Sequence, residues 1–169
     1  MASRKYASYI IKNVPRMPPR TKDSPRSKTK VAPNLNQILM INGAIVKGAF
    51  HVNCAWISPG PNPGVFDAHI HPHDEIIGFI GTNPQDPKDL GGKAELWIED
   101  EKYIISKSFL AYFPKGVKHC PLTVANVQRP IFHFDIQIAE GRPEFQWVKD
   151  LTQKKAIKSG HKAKGETND

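Results

Sequence analysis

A chain of 169 residues, 39% of them hydrophobic, is long enough to bury one core of its own and short for two domains. Its formal charge of +8 sits at the ends: residues 1–30 hold nine Lys or Arg against Asp23 alone and residues 149–169 hold six against three acids, leaving nine against twelve in the body between them. That placement argues against a basic nucleic-acid-binding face, two cysteines cannot make a disulfide framework, and no apolar stretch has signal-peptide or membrane-span length; the expected setting is cytoplasmic, with neither nucleic acid nor a membrane as partner.

Residues 1–35 read as an extended basic arm. Pro15, Pro18, Pro19, Pro25 and Pro33 remove backbone donors and fix φ, so neither helix nor central strand is expected there. Ahead of them, Tyr6, Tyr9, Ile10 and Ile11 form an apolar cluster suited to docking on the chain's own domain or on a neighbouring subunit. From Gln37 to Ile57, apolar runs flank Asn42-Gly43, a hairpin signal, with Ala44–Val46 and Ala49–Ile57 as the return. Ser58–Gly64 is a loop by composition, and it leads into His69-Ile70-His71-Pro72-His73-Asp74-Glu75.

Strand side chains alternate between faces, so His69 and His71 project from the same side. Pro72 ends the strand, and the Pro-His-Asp turn brings Glu75 back beside them while His73 points to the rim. Ile76–Ile80 reads as a short buried strand and Thr82–Gly92 as a long polar connection, either a lid or a plain surface insertion. Glu95–Ile98 and Lys102–Ile105 flank Glu99-Asp100-Glu101 as a hairpin, and Ser106–Phe113 is the strand that runs into Pro114-Lys115-Gly116, whose turn delivers His119. Three histidines and a carboxylate suit Zn, Fe, Mn, Ni or Cu and leave positions open for water or substrate.

Cys120, beside His119, reads as a small buried hydrophobe. Pro130–Ile138 alternates cleanly, with Phe132, Phe134, Ile136 and Ile138 on one face and Ile131, His133, Asp135 and Gln137 on the other. If the polar face looks inward, His133, Asp135 and Gln137 line a pocket or brace a ligand; if the apolar face does, they are solvated. Phe66, Phe79, Trp56, Phe113 and Tyr112 are candidates for an apolar pocket wall or for the core. Beyond Gly141, Phe145, Trp147, Val148 and Leu151 suit a short capping helix or turn, and residues 153–169, His161 among them, have a disordered composition. No internal repeat is evident.

The two histidine segments resemble the paired motifs of the cupin superfamily, a His-x-His followed by Glu and then, further along, Pro-x-Gly-x-x-His. His69, His71, Glu75, Pro114, Gly116 and His119 fall on that pattern; Gly64 and Gly81 stand one residue nearer the ligands than it asks, Ser108 stands for its second-motif glycine and Thr123 for its asparagine. The resemblance, over roughly residues 45–140, implies an all-β fold: a small antiparallel β-barrel of the double-stranded β-helix, jelly-roll-like kind. With an extended arm over residues 1–35, the barrel would span 36–148 and a flexible basic tail 149–169.

Fold does not fix reaction, so function is read from the site. Metal ligands His69, His71, Glu75 and His119 would hold one divalent transition metal (Fe, Mn, Zn or Ni), Glu75 could also act as a base, and His133, Asp135, Phe79 and Tyr112 would meet a small-molecule substrate. Neutral histidines and one carboxylate leave a divalent ion with net charge +1, which favours an anionic, oxygen-rich or carboxylate-bearing substrate. The leading expectation is an oxygenase or an isomerase/lyase; the alternative is a non-catalytic cupin that binds or senses a small ligand. Exchange of the arm between subunits suggests a homodimer.

Overall fold

The structure, a computed structural model, describes residues 5–14, 34–60, 66–139, 141 and 146–147. Its strands, in chain order, are β1 (Leu35–Ile41), β2 (His51–Ile57), β3 (His69–Ile70), β4 (Glu75–Gly81), β5 (Asp89–Ile98), β6 (Glu101–Lys107), β7 (Phe109–Phe113), β8 (His119–Ala125), β9 (Ile131–Gln137) and β10 (Gln146–Trp147). They pair antiparallel into two five-stranded sheets, β1-β2-β9-β4-β7 and β10-β3-β8-β5-β6. Consecutive strands repeatedly change sheet, which is the jelly-roll arrangement the sequence implied. Phe79, Phe113, Leu90, Leu96 and Ile131 are fully buried between the sheets. Each such side chain contributes about 1.5–3 kcal/mol by leaving water.

Several expectations are corrected. The hairpin at Asn42-Gly43 exists, but its connection runs over residues 42–50 and Ala44–Val46 is turn. The Asn42 side chain accepts the Ala44 N–H, the Asn42 carbonyl accepts from Ile45 and Val46, and Gly43 packs so tightly on Gly141 that an added Cβ would lie 2.7 Å from its nitrogen. The tight two-residue turn therefore gives way to a loop docked on the chain's later part. The connection after β4 is shorter than its composition suggests, because Asp89–Gly92 joins β5 and Leu90 enters the core.

Ser106–Phe113 is not one strand. It breaks at Ser108, where the chain passes from one sheet to the other; the Ser108 hydroxyl accepts the Gly81 N–H at 3.0 Å and donates to the Pro87 carbonyl at 3.0 Å, which fastens the corner. Ile76–Ile80 is a strand buried on one face only, with Ile76 and Ile80 turned outward. Within the segment expected to form a capping helix or turn, the backbone of residues 146–147 pairs with β3, the strand that carries His69. In the arm, Ala7–Tyr9 forms one 3-10 turn on which Tyr6 and Tyr9 stack. The Pro-rich part of the arm, residues 61–65 with Gly64, the side chains of 145–151 and the 153–169 tail lie outside the described residues.

Candidate metal centre

The ligand segments meet where β3, β4 and β8 come together. β3 pairs with β8 so that His69 lies opposite His119, while β4 starts at Glu75 in the facing sheet. The second motif is tied to the first by its glycine: Gly116 has φ +79°, a left-handed conformation glycine adopts freely, and its N–H donates to the His71 carbonyl at 2.8 Å. Asp74 makes a second tie, its carboxylate accepting the Lys115 N–H at 2.9 Å and the Tyr112 hydroxyl at 2.9 Å. Those bonds hold its own carboxyl below the usual range. Nothing in residue periodicity singled Asp74 out; its place in the Pro-His-Asp turn was the available signal.

His69, His71, Glu75 and His119 are all buried, and their ligand atoms lie within 4.8 Å of one another. Ligands about 2.1 Å from a single ion lie at most about 4.2 Å apart, so a contraction of a few tenths of an ångström closes the cluster on a metal. The hydrogen bonds behind the rings fix which nitrogens face inward. His119 Nδ1 lies 3.0 Å from the Val117 carbonyl and His69 Nδ1 2.5 Å from the Asp67 carbonyl. A carbonyl only accepts, so Nδ1 carries the proton in both and Nε2 presents its lone pair to the site. His119 Nε2 is buried without a hydrogen-bond partner although Glu75 Oε2 is 2.8 Å away, off the line a hydrogen bond needs. A lone pair and a carboxylate that close need a positive charge between them: a shared proton serves in the metal-free protein, and the donor set fits a divalent metal in its place.

Glu75 Oε2 is also 3.0 Å from His71 Nε2, and Oε1 accepts from the Gln137 side-chain amide at 2.8 Å. Burial opposes its charge, but the adjoining His119 and His71 imidazoles outweigh burial and hold the carboxyl well below its usual range. Burial, reinforced by His119, draws His69 down to about 4, so its ring is neutral at physiological pH. Phe113 stacks on the His119 ring at 4.1 Å and 5°. Cys120 is buried, and desolvation with the nearby Glu75 charge pushes its thiol well up; it is an uncharged core group, as read from sequence.

The polar face of β9 is the inward one. His133 and Gln137 are buried, while Phe132, Phe134 and Ile136 look out. His133 Nδ1 donates to the Gly78 carbonyl at 3.1 Å, and its ring stacks on Phe79 at 4.3 Å. Gln137 bridges Glu75 and His73, whose Nε2 is 3.0 Å from Gln137 Oε1. Asp135 is engaged on both oxygens, with His51 Nε2 at 3.1 Å and the Asn53 amide at 2.8 Å. His51, which sequence reasoning passed over, is buried, and its Nδ1 has no partner among the described residues. It pairs with Gln137 across β2 and β9, and only that register, invisible in sequence, could have revealed it.

Two expected substrate residues are placed differently. Tyr112 lies opposite Ile76 on the outer face, 57% exposed, because strand alternation turns it away from Phe113 and Ala111; it does not reach the interior. Phe79 is wholly buried and backs His133 instead of lining an open wall. Trp56 also faces outward, and Phe66, 40% exposed, lies 5.8 Å from the His133 ring.

No family model matches the sequence, and no curated protein is recognisably similar to it. Among solved structures, the chain is similar to a cupin-2 domain from Rhodospirillum rubrum (10% identity, 82% of this chain and 84% of that one, TM-score 0.45). It is also similar to oxalate oxidase in complex with glycolate (14% identity, 78% and 63%, TM-score 0.45) and to the DMSP lyase DddQ from Ruegeria pomeroyi (21% identity, 56% and 42%, TM-score 0.36). The chain thus spans less than two thirds of both enzymes. At these identities and scores no activity is carried across; the functional reading stands on the motif residues and their geometry.

Proposed function

We propose that this chain, which joins the paired histidine motifs of the cupin superfamily to a two-sheet jelly-roll fold, is a metal-dependent enzyme acting on a small oxygen-rich or carboxylate-bearing molecule. The observation that carries the reading is the buried cluster of His69, His71, Glu75 and His119, with His119 Nε2 left facing the Glu75 carboxylate. A divalent metal bound there would polarise a substrate oxygen or acidify a bound water. The chain's own groups do the rest. Gln137 fixes Glu75 by holding Oε1, so the carboxylate keeps one orientation toward the imidazoles of His71 and His119. His133 donates through Nδ1 to Gly78 and so keeps Nε2 as an acceptor for a substrate hydroxyl, with Phe79 stacked behind the ring. Asp135 orients His51 on the same wall.

The test is elemental analysis of protein purified without added metal or chelator, wild type beside His71→Ala and His119→Ala. Near-stoichiometric metal in the wild type, absent from both variants, is the expected result. Iron then directs the search to oxygen consumption with small hydroxy acids and dicarboxylates, and zinc, manganese or nickel to isomerase and lyase assays on the same compounds. Wild-type protein that takes up no metal even on reconstitution overturns the enzyme reading and leaves a barrel that binds its ligand without one.

A further inference from the structure

We propose that His51, held by Asp135, takes a hydroxyl of the substrate, so that the site selects hydroxy monocarboxylates over dicarboxylates; this rests on the metal reading above and names the substrate class it leaves open. His51 lies opposite Gln137 across β2 and β9, and Gln137 lies opposite Glu75 across β9 and β4. Glu75, Gln137 and His51 thus form one row across three strands, all three buried on the inner face. Strands about 4.8 Å apart put the ends of that row roughly 10 Å from each other at the backbone, a gap that a molecule of a few carbons bridges between side chains. A chain of hydrogen bonds converges on Asp135 and orients the His51 ring: Gln37 Nε2 donates to Asn53 Oδ1, Asn53 Nδ2 donates to Asp135 Oδ2 at 2.8 Å, and His51 Nε2 meets Asp135 Oδ1 at 3.1 Å. A carboxylate only accepts, so His51 carries its proton on Nε2. Nδ1 is then a lone pair, buried and without a hydrogen-bond partner among the described residues, and a second proton there would have no acceptor. That lone pair calls for a donor from a ligand. His133, whose Nδ1 donates to the Gly78 carbonyl, offers a second lone pair from the same face of β9.

Charge decides between a hydroxyl and a second carboxylate at that position. Among the described residues no Lys or Arg is buried, and strands β1, β2, β4, β7 and β9 contain neither. The same wall already holds two acids, Glu75 and Asp135. Three neutral histidines and Glu75 leave a divalent ion one positive charge, which one substrate carboxylate neutralises. A second carboxylate would have to shed its water against lone pairs and acids, with no cation to pair it. A hydroxyl instead donates to the imidazole and keeps no charge. A methyl group in its place leaves Nδ1 unpaired, and a site built to bond a hydroxyl discriminates against the analogue without one.

Calorimetric titration of the zinc-loaded full chain with 4-hydroxybutyrate, butyrate and succinate tests this, since the three differ only in ending on a hydroxyl, a methyl or a carboxylate; 3-hydroxybutyrate offers a nearer hydroxyl. One of the hydroxy acids should bind about tenfold tighter than butyrate, the effect of one hydrogen bond, and succinate no tighter than butyrate. Asp135→Asn keeps the shape and reverses the polarity. Gln37 holds the Asn53 oxygen, so Asn53 still donates; the new amide must turn its oxygen to Asn53 and its NH2 to His51 Nε2, which moves the ring proton to Nδ1. The ratio of succinate to hydroxy-acid dissociation constants should then fall by about tenfold with zinc content unchanged, whereas a merely structural Asp135 would weaken every probe alike. His51→Phe, folded by circular dichroism, should lose the hydroxyl preference and keep butyrate binding. Zinc-loaded wild type with no hydroxyl preference, whether the probes bind equally or not at all, or with succinate the tightest, overturns the inference and leaves the metal centre standing. A preference that survives both substitutions also overturns it, and if either variant fails to fold the wild-type ranking still decides. Protein that takes up no zinc overturns the metal reading and this inference together.

Discussion

Replacing Gln137 by Leu removes the single bond that fixes Glu75 from behind and changes nothing among the ligands themselves. Gln137 is buried, its amide donates to Glu75 Oε1 at 2.8 Å, and its carbonyl oxygen meets His73 Nε2 at 3.0 Å. Leu fills much of the same volume but leaves a buried, charged carboxylate oxygen unpaired, at a cost of about 2 kcal/mol to the metal-free protein. Metal affinity should fall roughly tenfold to a hundredfold, the usual consequence of removing a group that orients a ligand. Denaturant unfolding of the chelated protein reads the first quantity and competition titration with zinc the second. His73→Ala is the control: it leaves the Gln137–Glu75 bond in place and should cost under about 1 kcal/mol and shift affinity only a few-fold. Wild-type unfolding midpoint and wild-type zinc affinity in Gln137→Leu would refute the bracing role.

Acid should destabilise the metal-free protein ahead of any general charge effect. His69 falls from 6.5 to about 4 in the folded state, so the unfolded chain takes up the proton first; its contribution is complete above about 6.5 and is lost as pH falls to about 4. The loss is about 3 kcal/mol, read by unfolding at pH 7.5 and at successively lower pH, and Glu75, whose carboxyl is also lowered, acts in the same direction below its ordinary 4.5. Gly116→Ala meets no atom within 4 Å, so it should cost only the left-handed backbone, about 1–2 kcal/mol in thermal or denaturant unfolding. Tyr112→Phe should leave metal content and turnover unchanged and cost under about 1 kcal/mol, because it loses one exposed bond to Asp74; loss of turnover with metal retained would contradict its outward placement.

That His69, His71, Glu75 and His119 would come together was legible because it depends on local rules. A His-x-His on a strand, a proline that stops it and a Pro-x-Gly turn act within a few residues, and the structure collects those side chains in one place. Sheet corners were not legible. Ser108 looks like one more strand residue until its hydroxyl is seen holding Gly81 and Pro87, and Asp89–Gly92 looks like loop until Leu90 is seen in the core. Partners set by register between distant strands were equally hidden: His51 acquires a role only because β2 lies beside β9, which places it against Asp135 and beside Gln137.

The ambiguity of Ile131–Gln137 has a physical origin that links the metal centre to the outer face. An apolar stripe alternating with a polar one ordinarily puts the apolar stripe inside, and β9 does the reverse. Strand parity leaves no compromise: with Phe132, Phe134 and Ile136 inward, His133 would leave Gly78 and Gln137 would leave Glu75, since a slip of one residue exchanges the whole set. The interior therefore obtains its polar wall only by sending three large apolar side chains outward, beside Trp56, Ile76 and Ile80. Those side chains are half-buried against one another, Trp56 on Phe132 and Phe132 on Phe134, and this same-face packing recovers part of the apolar contact that an inward position would have given them.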